Sequence, residues 1–358
     1  MMQLAVNTQK LKDMVSKSIK GAGNNKLIPI TQFIGIAKVG NTLRLTTTDA
    51  TNYLYIQETI DESEEEFAVT VFVEQFSKII SKLTSETVSL AVKDSVLEVH
   101  GNGTYSIELP LDENGEIIKF PDPIADIKKA DSKGSVSLAD IKVILDSVKP
   151  SLATDMSNSA IVNYFIGDTA LATDSYKIAS FNKKVFDGEY LIAPELLDLF
   201  SVVSTDKINY KIVKDSIVFE AGDVTIYGKL MNEEYPVDVL EKLLSEKFPS
   251  VCKINKQDFL NLLDRISIFV SKYDDKAIRL YFEKDGITVS NKNRSSNEKI
   301  EYKDSKKHKD FDCVIDVEFL TTQIKAYASD VIEMHYGKEN SIKLVDGNIT
   351  QIVALNEK

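Results

Sequence analysis

Apolar residues recur every three or four positions in three stretches that lie about a third of the chain apart. Leu11, Met14 and Ile19 follow Asn7; Ile141, Ile144 and Val148 follow Ser137; Phe259, Leu262 and Ile266 follow Asn255. This spacing predicts an amphipathic helix in each stretch, with Asn7, Ser137 and Asn255 as N-caps. A second set of helices is expected to start at Val73-Glu74, Pro194-Glu195 and Val317-Glu318, each behind a short β-rich run at 69–72, 190–193 and 313–316. Proline costs no hydrogen bond in a first helical turn, and an early glutamate complements the helix dipole. The six helices are placed at 7–20, 73–83, 138–150, 194–205, 255–272 and 318–329. Elsewhere β-branched and polar residues alternate, as at 42–47, 53–59, 87–92, 162–165, 208–213, 278–282 and 342–344, which reads as strands. Each third is therefore expected to hold about two helices and eight strands, an α+β unit with helices on one face of antiparallel sheets.

The thirds also share a hairpin. Lys93-Asp94-Ser95, Lys214-Asp215-Ser216 and Glu339-Asn340-Ser341 are followed at one spacing by Gly101-Asn102, Gly222-Asp223 and Gly347-Asn348. Thr104, Thr225 and Thr350 come next, then Leu109, Leu230 and Leu355. Gly-Asn and Gly-Asp tolerate positive φ and suit hairpin turns. Recurrence in register marks a tandem triplication, and tandem units build curved surfaces or rings more readily than catalytic pockets. Phe120-Pro121-Asp122-Pro123 and Tyr235-Pro236 mark the joints, so the domains are placed at 1–124, 125–247 and 248–358. The acidic run 61–66 and the mixed run 303–310 read as solvated loops.

Composition changes this picture little. The chain has 358 residues, 27% of them charged, with ordinary apolar content. No run approaches the roughly 20 apolar residues that span a membrane. The start, Met1-Met2-Gln3-Leu4, has no signal-peptide pattern. Two cysteines, Cys252 and Cys313, offer no disulfide framework, and a cytoplasmic location is expected. A net charge of −12 argues against nucleic acid until its distribution is considered. The six helix segments carry 12 Lys/Arg against 9 Asp/Glu, so the excess of acid lies wholly outside them.

Three such units resemble the bacterial DNA polymerase III β-subunit family, the sliding clamps, over essentially the whole chain. The most specific match is Ala172-Thr173-Asp174-Ser175-Tyr176-Lys177-Ile178-Ala179, which is similar to the family's Thr-Asp-Gly-His-Arg-Leu-Ala segment. Supporting matches are Ile28-Pro29-Ile30, residues 45–49, Tyr235-Pro236 and Ala277-Ile278-Arg279-Leu280-Tyr281. The resemblance implies two three-domain subunits closing head to tail into a homodimeric ring with pseudo-sixfold symmetry, helices lining the hole and sheets forming the rim. It further implies a processivity factor that encircles double-stranded DNA and tethers DNA polymerase and the clamp loader through short peptides, with no cofactor. Basic helices inside an acidic shell fit that role, because a diffuse positive lining attracts closely spaced phosphates without fixing a register. The candidate DNA-facing residues are Lys10, Lys12, Lys17, Lys20, Lys78, Lys82, Lys142, Lys149, Arg265 and Lys325, with Lys26 on a nearby loop; lysines on merely solvated helix faces are the plainer alternative.

The resemblance also places a partner-peptide cleft at Ile161, Thr173, Ser175, Tyr176, Lys177, Ile178, Pro236, Leu240, Leu243, Ile352, Val353, Ala354 and Leu355. Ile161, Ile178 and Val353 would equally suit a plain core. It places a dimer seam at Tyr105 and Ile107 on the strand 104–109, facing Phe269 and Val270 of the other subunit. Departures stand beside these matches. Gly-His-Arg has become Ser175-Tyr176-Lys177, an arginine usual near Asn158 is missing, and the tail reads Leu355-Asn356-Glu357-Lys358. A changed peptide preference is expected, as in a divergent copy carried by a phage or mobile element.

No catalytic pattern stands out. His100, His308 and His335 are scattered; Asp274-Asp275 and Glu233-Glu234 read as surface charge; no phosphate loop or nucleophile elbow occurs. The alternatives are a clamp-like decoy or inhibitor of a host replication machinery, and a hydrolase whose site is hidden.

Overall fold

The computed structural model describes residues 2–60, 67–125, 127, 129–155, 159–270 and 276–356. Asn158, Asp274-Asp275, the acidic run 61–66 and the final Glu357-Lys358 lie outside the described residues.

Seven α-helices occur among the described residues: α1 Thr8–Ser18, α2 Val73–Lys82, α3 Leu138–Val143, α4 Pro194–Asp198, α5 Val237–Ser245, α6 Lys256–Ser267 and α7 Val317–Lys325. The first-turn chemistry is as the sequence suggests. Asn7 Oδ1 accepts from the amides of Gln9 (3.0 Å) and Lys10 (3.2 Å), and Asn255 Oδ1 from that of Asp258 (2.9 Å). Asp316 caps α7 through the amides of Glu318 and Phe319, at 2.7 and 3.0 Å. Ser137 instead donates its hydroxyl to the Asp206 carboxylate (3.2 Å). The predicted 138–150 helix is broken: after Val143 the chain widens into a π turn at Ile144–Val148, then tightens into a 3-10 turn at Lys149–Ser151. Pro150 lacks the N–H that regular continuation needs. The 194–205 segment is helical only to Asp198 before a 3-10 turn, Leu199–Val202. Helix α5 was not expected.

The strands give the same ladder three times. In the first third, Met2–Asn7 pairs with Thr87–Lys93, which pairs with Val96–His100, which pairs with Thr104–Glu108, all antiparallel. Ser132–Ser137, Lys207–Val213, Ser216–Ala221 and Val224–Met231 repeat this order. So do Ser250–Asn255, Val331–Tyr336, Ser341–Asp346 and Ile349–Ala354. A second ladder recurs likewise. Tyr53–Thr59, Thr42–Thr48, Phe33–Val39 and Phe67–Phe72 form it first. Its copies are Lys177–Phe181, Ala170–Thr173, Tyr164–Ile166 and Tyr190–Ile192, then Asn297–Glu301, Gly286–Asn291, Ala277–Phe282 and Phe311–Asp316. The triplication inferred from turn spacing is thus a triplication of topology. Gly222 and Gly347 hold φ of +66° and +58° at two-residue turns, the conformation for which glycine suits those positions. The run 303–310 departs from a plain loop: Asp304–Lys306 forms a short strand against Ser250–Asn255.

The residues group into two compact units, 1–138 with 195–230 and 139–194 with 231–358. In the first, Val224–Met231 continues the ladder of Tyr53–Thr59, with Thr225 opposite Tyr55. In the second, Ile349–Ala354 continues the ladder of Lys177–Phe181, with Thr350 opposite Ser180. The hydrophobic core of the second unit is built where α6 and α7 press Phe259, Leu262, Leu263, Ile266, Leu320 and Ile324 against inward strand positions such as Ile278, Leu280, Ile332 and Ile342. In the first unit α1 and α2 bury Leu11, Met14, Val15, Phe76 and Ile80. The segment after the first repeat is firmly seated. Asp122 accepts from Arg44 (2.5 Å) and from the Tyr55 hydroxyl (3.2 Å), and the Phe120 ring fills the space left by the missing side chain of Gly35. Burial, then the Asp122 charge, pushes the Tyr55 phenol above its ordinary pKa.

Candidate functional site

The segment Thr173 to Lys177 makes a tight, self-bonded turn. Thr173 Oγ1 donates to the Lys177 carbonyl (2.8 Å) and accepts from the Ser175 amide (3.1 Å). Asp174 Oδ1 accepts from the amides of Tyr176 (2.9 Å) and Lys177 (2.7 Å). Ser175 takes φ +76°, the left-handed region where the family's glycine would be at ease. The same device stands at Thr48 to Asn52, where Thr48 Oγ1 donates to Asn52 O (2.6 Å), Asp49 Oδ1 accepts from Thr51 and Asn52, and Ala50 takes φ +91°. The motif therefore belongs to the repeat, and in the middle copy it leads directly into the strand that carries Ile178.

Ile178 lies directly opposite Ile352 across the Lys177–Phe181 and Ile349–Ala354 strands. With Ile161, Leu171 and Leu240 they form one apolar cluster, against which Ala153, Met231, Val237, Leu243 and Leu244 pack half-buried. The Phe165 and Tyr235 rings stack at 5.7 Å beneath it, and burial pushes the Tyr235 phenol up. Exposed Pro236 starts α5, whose inner face supplies Leu240, Leu243 and Leu244 as a wall. On the other rim Tyr176 is 61% exposed and leans on Phe319, with ring centroids 5.8 Å apart. Buried Lys177 pairs with Asp174 (2.7 Å) and sits 4.4 Å over the same Phe319 ring. Its ammonium is thus already committed to an acid and an aromatic face.

The cleft residues expected from sequence divide accordingly. Ile161, Ile178, Leu240, Leu243 and Ile352 gather in one patch; Thr173 and Ser175 shape its turn; Tyr176, Lys177 and Pro236 form its margins. Val353 does not join them. It turns to the opposite face of its strand and is fully buried in the neighbouring core, because successive strand residues alternate sides. Leu355 packs on that core too, and Ala354 donates its amide to Tyr176 O (2.9 Å). Missed in the sequence were Leu244, Met231 and Phe319. Helical spacing of Val237, Leu240, Leu243 and Leu244 was the available signal for the wall.

The cationic candidates also divide. Lys10 pairs with Glu58, Lys17 with Asp223 (2.6 Å), Lys78 with Glu74 (2.5 Å) and Arg265 with Glu298. The Arg265 hydrogen bond holds the Glu298 carboxyl below its usual pKa. Lys12, Lys20, Lys26, Lys82, Lys142 and Lys325 have no ion-pair partner among the described residues, and all but half-buried Lys12 are exposed. Lys149 is half-buried on its 3-10 turn.

At the expected seam, Tyr105 is 38% and Phe269 58% exposed, with Val270 half-buried beside exposed Ile268. Ile107 corrects the expectation: it is 0% exposed, sealed into its own subunit's core, and cannot offer surface to another. Thr104–Glu108 and Asn297–Glu301 each have a strand on one side only among the described residues.

No group of three or more His, Cys, Asp or Glu residues gathers as metal ligands among the described residues. None of the described helices is long and apolar enough to cross a membrane.

Comparison with known proteins bears on this geometry. Residues 2–118 match the family described as DNA polymerase III beta subunit, N-terminal domain. No protein of curated function matches the sequence. Among solved structures, the DNA polymerase sliding clamp of Pseudomonas aeruginosa is similar over 100% of both chains, with a TM-score of 0.86 and 15% identity. The sliding clamp of Bacillus subtilis gives 0.86 at 16% identity, covering 100% of this chain and 99% of its own. The DNA polymerase III beta subunit of Thermotoga maritima gives 0.83 at 15% identity over 100% of both. The chain has the sliding-clamp fold along its whole length, and within it residues 2–118 match the model of the DNA polymerase III beta subunit's N-terminal domain.

Proposed function

We propose that two copies of this chain close head to tail around duplex DNA and that the ring tethers a polymerase and other replication factors through the cleft of Ile178, Leu240 and Ile352. The domains are taken as 1–124, 125–247 and 248–358. One observation carries the reading: the chain joins its own repeats twice by the same edge pairing, in the same register. Thr225 faces Tyr55 and Thr350 faces Ser180, a shift of 125 residues on both sides. Each partner also follows its Thr-Asp turn at the same distance. Carried through the ladders to the third repeat, this register sets Thr104 of one subunit opposite Asn297 of the other. Two strand edges would then be mated that are otherwise open, and open edges seek partners.

Lys12, Lys20, Lys26, Lys82, Lys142 and Lys325 would supply the diffuse positive lining, while Lys10, Lys17, Lys78 and Arg265 exchange carboxylates for phosphates only at a cost. Binding of this kind depends on encirclement and needs no turnover, which is the working mode of a processivity factor and not of an enzyme. The cleft suits a peptide with a few apolar anchors, the usual economy of such pockets. With Tyr176 and an already paired Lys177 at its margin, the cleft should prefer a peptide other than that of an ordinary chromosomal clamp. The test is loading on nicked circular DNA by an ATP-driven loader, followed by linearisation. A topological ring slides off the ends; protein that stays bound after linearisation refutes encirclement.

A further inference from the structure

Among the described residues, no helix follows the last strand of the first repeat as α5 follows Val224–Met231 in the second, so the first repeat's contacts give no pattern for seating it. Its last carbonyls are the groups a helix end leaves without internal partners. A single side chain collects them: Lys343 Nζ donates to Leu244 O (2.7 Å) and to Glu246 O (2.6 Å). A cation at this end also complements the helix dipole. Lys343 stands directly opposite Ile352 in the Ser341–Asp346 and Ile349–Ala354 pair. Opposite residues share a face of the sheet, so the floor of the cleft and the anchor of its wall are cross-strand neighbours. Lys338 reinforces the grip by pairing with the Glu246 carboxylate, and both ammonium groups lie 5.3 Å from the Phe248 ring centroid. Burial, then the nearby Lys338 charge, lowers the Lys343 pKa against the opposing pull of Glu246.

We infer that Lys343 is a positioning residue of the cleft, gripping the C-terminal carbonyls of α5 so that Leu240, Leu243 and Leu244 stand over Ile178 and Ile352 at the width a partner's apolar side chains require. The inference rests on the peptide-cleft reading. A wall that is one short helix, joined on one side to a loop, has its separation from the floor set by whatever fixes its free end.

The test compares the full-length chain with Lys343→Met, which keeps length without donors, and Lys343→Arg, which restores them. The probe is a fluorescently labelled clamp-binding peptide from a bacterial replicative polymerase, titrated to millimolar concentration. Loss of charged hydrogen bonds of this kind corresponds to about tenfold effects. Lys343→Met is expected to speed amide exchange at 237–245 about tenfold, leave 177–181 and 349–354 unchanged, and weaken the peptide by a similar factor. Lys343→Arg should recover both. Peptide affinity in Lys343→Met within about twofold of wild type overturns the role of Lys343 while leaving the cleft intact. Faster exchange across both strands as well as α5 marks general destabilisation and overturns it too. A changed preference should leave weak binding, so wild type that binds no such peptide even at millimolar concentration removes the cleft reading, and the inference with it.

Discussion

Phe269→Asp should split the proposed dimer, and the size of the effect follows from how much of the phenyl group is bare in the single chain. Phe269 is 58% exposed. Aromatic residues bury about 150–250 Å² when fully covered, so roughly 100 Å² is left for a partner to cover. At about 25 cal/mol per Å² that is about 2.5 kcal/mol for each seam. A head-to-tail ring has two seams, so one substitution acts twice, for about 5 kcal/mol. With tenfold per about 1.4 kcal/mol, the dimer constant should weaken by roughly three to four orders of magnitude, before any cost of burying the carboxylate. Tyr105→Asp, at 38% exposure, should act in the same direction and less strongly. Sedimentation velocity over a nanomolar to micromolar range reads the result, with thermal unfolding as the control for folding. Ile107→Asp makes the contrast: the residue is fully buried, so it should unfold the first repeat by several kcal/mol instead of yielding a folded monomer. A Phe269→Asp protein whose dimer constant matches wild type would refute the seam.

Two further outcomes are expected. Replacing the unpaired Lys20 and Lys82 by Ala should lower the salt dependence of DNA association by about 0.9 per lysine, whereas Lys17→Ala, whose ammonium already holds Asp223, should change it less; equal slopes for all three would remove the distinction. Leu243→Ala on the half-buried wall should weaken peptide binding about tenfold with little change in melting temperature, and fluorescence titration with unaltered affinity would take Leu243 out of the cleft.

The repeat was legible because turn chemistry is local. Gly222-Asp223 and Gly347-Asn348 mark their hairpins by backbone freedom, and Asn7 and Asn255 mark helix starts by a short side-chain bond. Where interactions are long-range, the sequence was less informative. Tyr105 and Ile107 lie two residues apart and share a strand face, so periodicity cannot say that only Ile107 is covered. Ile352 and Val353 are both apolar, and the side of the sheet each faces depends on pairing with Lys177–Phe181, some 170 residues away. Helix α5 carries helical spacing at Val237, Leu240 and Leu244, but at nine residues and directly behind Tyr235-Pro236 the pattern does not separate a short helix from a linker. Lys343 gives no local signal whatever, because its partners are main-chain oxygens about a hundred positions earlier in the chain.

The shared register of the two internal strand junctions has a consequence for origin and for design. If Thr104–Glu108 and Asn297–Glu301 mate as proposed, every repeat carries a plug, the strand after its Gly-Asn or Gly-Asp turn, and a socket, the strand after its Thr-Asp turn or that turn's third-repeat equivalent. An isolated ancestral unit with both could have assembled into a six-membered circle before any genes fused, and fusion by threes would have left one plug and one socket per chain. By the same logic, severing the segment between the first and second repeats should give fragments that find each other again through strand Val224–Met231.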